Sequence, residues 1–152
     1  MKKFTLTLVA LLLAAVVVAQ TKDLRVKDVF DGKVIPQSRM VTTFVSGETL
    51  EPYNLSLFHS VKMKVSPQEM TTIWDRINAD ITTHPVEAKD SEYGRENGLV
   101  SYLIARIDRV GKVNHYLCYQ CYEVGGQYNI NITLVYIEGK ASMTELKKTF
   151  KK

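Results

Sequence analysis

Residues 114–138 read NHYLCYQCYEVGGQYNINITLVYIE, two alternating runs on either side of a Gly-Gly pair. Leu117, Tyr119 and Cys121 share one parity and Cys118, Gln120 and Tyr122 the other; beyond the glycines, Ile130, Ile132 and Leu134 alternate with Asn129, Asn131 and Thr133. A period of two marks half-buried strands, and Gly125-Gly126 suits a two-residue hairpin turn. Such a turn pairs Val124 with Gln127, hence Leu117 with Leu134, Tyr119 with Ile132 and Cys121 with Ile130. The other face then sets Cys118 against Thr133, Gln120 against Asn131 and Tyr122 against Asn129.

Working outward, residues 99–108 form a further strand, joined through Arg109-Val110-Gly111-Lys112. A four-residue loop there puts Val100, Tyr102 and Ile104 on the apolar side and Ser101 on the polar one. Residues 40–45 and 55–65 supply two more strands; in the second, Leu55, Leu57, Val61, Met63 and Val65 share a face. Ser66-Pro67-Gln68-Glu69 spells a capping box with proline at the first helical position. Met70, Ile73, Trp74, Ile77 and Ile81 follow at helical spacing, so Trp74→Ala is expected to cost about 3–5 kcal/mol. Residues 23–31 read as a short helix stopped at Gly32. Ser142-Met143-Thr144-Glu145 is a second capping box, opening a terminal helix with Met143, Leu146 and Phe150 on one stripe. Residues 82–98 (TTHPVEAKDSEYGRENG) are polar and aperiodic, and read as a long loop. The expected fold is a two-layer α+β domain: a largely antiparallel sheet of about five strands with helices packed on one face.

The amino terminus points to export. Lys2 and Lys3 precede eleven apolar residues, 8–18, too few for the roughly 20 that cross a bilayer. Val17 and Ala19 then place cleavage before Gln20, giving a signal peptide at 1–19 and one globular domain at 20–152. No membrane span is expected after that cleavage. Losing Lys2 and Lys3 lowers the formal charge from +4 to +2, and Lys147, Lys148, Lys151 and Lys152 are read as charge favoured at a helix carboxyl end. Nucleic acid is therefore not an expected partner. The 45% hydrophobic content excludes a disordered chain.

Candidates for chemistry are few. Cys118 and Cys121 spell CxxC, but on one strand their α-carbons lie about 10 Å apart, beyond disulfide reach, with the sulfurs on opposite faces. His59, His84 and His115 lack zinc spacing, and no metal or cofactor is expected. Asn54-Leu55-Ser56 and Asn131-Ile132-Thr133 match a glycosylation pattern common by chance. Ser101, Gln120, Tyr122, Asn129 and Asn131 form the candidate binding face, a mixture of tyrosine and amides suited to polar ligands or a protein partner.

The opening helix with Val29-Phe30, the strand into Ser66-Pro67-Gln68-Glu69, and the closing run VYIEGKASMTEL (135–146) together resemble small secreted domain-of-unknown-function families of Bacteroidales. The resemblance covers residues 24–151 and implies a bacterial envelope or secreted protein; it carries over no catalytic residues. The first expectation is thus an exported, periplasmic or secreted, non-enzymatic module binding an envelope protein or polar ligand. The alternative is an envelope thiol-redox protein using Cys118 and Cys121. An exposed edge strand also offers homodimerisation by strand pairing.

Overall fold

The computed structural model describes residues 24–83, 90–123 and 129–150. The leader, its cleavage site, His84 and the Gly125-Gly126 turn lie outside them. In chain order the elements are α1 (Lys27–Phe30), β1 (Met40–Ser46), β2 (Leu55–Val65), α2 (Pro67–Thr83), β3 (Ser91–Glu96), β4 (Leu99–Val110), β5 (Val113–Glu123), β6 (Ile130–Gly139) and α3 (Met143–Phe150). The strands form one six-stranded sheet in the order β1-β2-β6-β5-β4-β3, and every neighbouring pair is antiparallel.

Six strands replace the expected five because residues 91–96 pair with β4. This strand has no hydrophobic alternation since it lies at the sheet edge, where both faces stay wet. Asn97 and Gly98 make its turn with φ of +51° and +81°, the left-handed pair that a type I′ hairpin requires.

Both capping boxes form. Ser66 N–H donates to Glu69 Oε1 at 2.9 Å and Glu69 N–H to Ser66 Oγ at 3.2 Å; Ser142 and Glu145 repeat the exchange at 2.7 and 3.2 Å. These satisfy amides that a helix start otherwise leaves open.

Helices cover both faces rather than one. Ile73 and Ile77 of α2 are fully buried, packing with α1 over Val61, Leu117, Leu134 and Tyr119. Trp74 is half-buried, its ring 5.4 Å from that of Tyr119. On the opposite face Leu146 of α3 closes on Tyr116, Ile137, Leu55 and Leu50. An apolar stripe guarantees that a helix packs, but does not say on which side of a sheet.

Two registers differ from expectation. The β5–β6 ladder pairs Tyr119 with Leu134, Cys121 with Ile132 and Tyr122 with Asn131, ending at Glu123↔Ile130. This is a slip of two residues, which leaves every side chain on its expected face and is therefore invisible to alternation. The β4–β5 error is of the other kind. The pair Val110↔Val113 closes a two-residue turn, and an extra residue, Ile107, interrupts the ladder between Arg106 and Asp108. One inserted residue exchanges the faces, so Tyr102 and Ile104 join Gln120 and Cys118 instead of the α2-covered core.

Candidate functional site

Among the described residues, the sheet face opposite α2 is covered by α3 at one end only. Beside α3 it forms an open groove of about 630 Å³, within the size of small-ligand sites. Cross-strand pairing arranges its floor in rows. Nearest α3, Phe58 adjoins Ile137; next come Ser60, Val135, Cys118 and Ile104; then Lys62, Thr133, Gln120 and Tyr102; last comes Tyr122, whose row partners Asn131 and Lys64 continue the sheet face beyond the groove. The rows thus grade from apolar beneath the helix to polar and cationic at the far end.

Tyr102 forms part of the rim. Its ring occupies the space that a side chain on Gly94 would need, the two residues being direct partners across β3 and β4. Its hydroxyl donates to Glu92 Oε1 at 3.0 Å, and the other oxygen of Glu92 meets the Lys147 ammonium of α3. The Tyr102 side chain is therefore held at both ring and hydroxyl.

Of the expected binding residues, the groove contains Gln120 and Tyr122; Asn131, paired to Tyr122, lies on the same face just beyond its lining. Ser101 is a correction: it is the unpaired residue between Gly94↔Tyr102 and Arg95↔Val100, and lines a smaller hollow with Met70 and Cys121. Asn129 is exposed and precedes β6. The sequence reading missed Lys62, which alternation labels as a solvated residue, and Tyr102, which it placed in the core.

Cys118 and Cys121 are both free thiols. Cys118 lies in the groove floor, where burial pushes its thiol up to about 12, so it is protonated at neutral pH and a poor nucleophile. Cys121 is buried on the α2 side, its sulfur 3.8 Å from Met70 Sδ, and burial raises its pKa as well.

A second polar cluster lies on the α2 side of the sheet. Glu138 is buried and accepts the Tyr136 hydroxyl at 2.6 Å. His115 places Nε2 3.7 Å from Glu138 and Nδ1 4.0 Å from Asp108. Burial and the neighbouring carboxylate both raise the Tyr136 pKa, so its hydroxyl stays a donor. His59, its ring tilted against that of Phe30 with centroids 4.5 Å apart, has its pKa lowered by desolvation and stays neutral at pH 7. Among the described residues no group of three or more His, Cys, Asp and Glu is placed to hold a metal ion, and no helix is long and apolar enough to cross a membrane.

No curated protein and no solved structure matches the chain. Residues 12–150, nearly its whole length, match the family of unknown function DUF6108, and the protein belongs to that family.

Proposed function

We propose that the protein is a non-enzymatic binding module of the bacterial envelope whose groove takes a polar-headed amphiphile. The grading of the floor carries this reading. An apolar chain would lie over Val135 and Phe58, while an anionic or hydrogen-bonding head would meet Lys62, Gln120 and Tyr122. Burying the chain contributes roughly 25 cal/mol per Å², and the polar end fixes its direction. Export follows from the leader reading of residues 1–19, and the resemblance to secreted Bacteroidales families supports an envelope setting.

Titrating isotope-labelled protein with dodecanoate and, separately, dodecyltrimethylammonium tests the proposal. Dodecanoate should shift the amides of β2, β5 and β6 around Lys62 and Gln120, and Lys62→Glu should reverse the preference between the two probes. Shifts confined to the α2 side, or none up to millimolar probe, would sink it.

A further inference from the structure

The two edges of the sheet are built differently. β3 carries Glu92, Arg95 and Glu96 and is broken by an irregularity at Gly94/Arg95, features that discourage pairing with another chain. β1 at the other edge reads MVTTFVS, with no charge, no proline and no break in its register with β2. Its middle residues are exposed, Val41 at 66% and Phe44 at 39%. Every second residue of such a strand also turns its backbone amide and carbonyl toward the open edge.

We propose that β1 pairs antiparallel with β1 of a second copy of this chain, about a two-fold axis through Thr43. The strand's own pattern favours a copy over another occupant. Val41 and Val45 lie symmetrically about Thr43, so the axis sets each valine against the other and leaves Thr43 facing its twin. Phe44, edge-on to His59 at 5.7 Å, then gains Thr42 of the second copy as its cross-strand neighbour. Like charges stay apart: the Lys62↔Val41 pair continues into Val45 of the second copy rather than toward its Lys62. Because β3 is protected, the assembly closes as a two-fold dimer and does not extend into a fibre.

Sedimentation velocity on the full chain tests this from roughly 1 to 500 µM, the range for a small interface. The wild type should pass reversibly from monomer to dimer. Thr43→Lys and Thr43→Glu each put like charges across the axis and should weaken the dimer at least about fivefold. An equimolar mixture of the two should restore it, while Tyr93→Lys on the opposite edge should leave it unchanged. A wild type that stays monomeric throughout, a dimer indifferent to Thr43→Lys, or a mixture that fails to recover would each overturn the proposal.

Discussion

The ring of Tyr102 lies across the α-carbon of Gly94, its direct partner on the neighbouring strand, and fills the volume that a methyl group there would need. Gly94→Ala must therefore displace the ring and is expected to cost about 1–3 kcal/mol. Urea denaturation of the double variant Gly94→Ala, Tyr102→Ala supplies the check. With the ring gone the methyl fits, so the alanine at 94 should cost little in that background. Equal cost in both backgrounds would show that the ring is not what fills the space.

Asp80, the most buried acidic residue among the described residues at 1% exposure, accepts the backbone N–H of Arg25 at 2.7 Å and of Val26 at 2.9 Å. It ties the segment before α1 to the carboxyl-terminal part of α2. Asp80→Ala strands both amides and is expected to cost about 2–3 kcal/mol. Amide hydrogen exchange at Val26 should accelerate along with the global loss, while unchanged protection there would contradict the tie.

Burial pushes the Cys118 thiol up to about 12, so little of it is thiolate at pH 8. Native protein should react with a maleimide at both cysteines at least about a hundredfold more slowly than unfolded protein, and mass spectrometry should find both thiols reduced. Fast labelling of Cys118, or an internal bridge, would return the CxxC spelling to consideration as a redox pair.

Glu69 is held down to about 2, chiefly by Arg39, whose two nitrogens meet its two oxygens at 2.9 Å, and also by the Ser66 amide. A depressed carboxyl pKa stabilises the fold above its ordinary value of 4.5, and that contribution fades as pH falls from 4.5 toward 2. The pair is partly solvent-exposed and screened, so Glu69→Gln should cost no more than about 1 kcal/mol at pH 7. The difference from wild type should shrink steadily from pH 4.5 and be mostly lost by pH 2; a constant difference across that window would show that the charge is not responsible.

Ile73 and Ile77, not Trp74, form the centre of the α2 contact. Ile77→Ala is expected to cost about 3–4 kcal/mol, and Trp74→Ala less than the sequence-based 3–5 kcal/mol because part of the ring stays wet. Denaturant midpoints for the two variants give the order directly.

What the sequence made legible were faces and caps. Alternation placed Leu117, Tyr119, Cys121, Ile132 and Leu134 together, and the Ser66 and Ser142 boxes located two helix starts. Alternation is blind to even slips, which explains the β5–β6 register, and to inserted residues, which explains Tyr102 and Ile104. β3 was legible after all in Asn97-Gly98, the strongest short hairpin signal, but its polar composition masked it. Asp80 could not be seen, since a buried acceptor and a solvated one look alike until the chain that donates to it is placed. The groove was half legible: Gln120, Tyr122 and Asn131 were on the expected face, whereas Lys62 gains meaning only when β6 comes between β2 and β5.

Glu92 holds the Tyr102 hydroxyl with one oxygen and the Lys147 ammonium with the other. A mechanical load applied downstream of α3, such as a fused cargo or an immobilising tag, would therefore reach the rim of the groove through this carboxylate as well as through the packing of Leu146. Probes meant to report on the groove are better anchored elsewhere, and a carboxyl-terminal attachment becomes a way to perturb it without altering any residue that lines it.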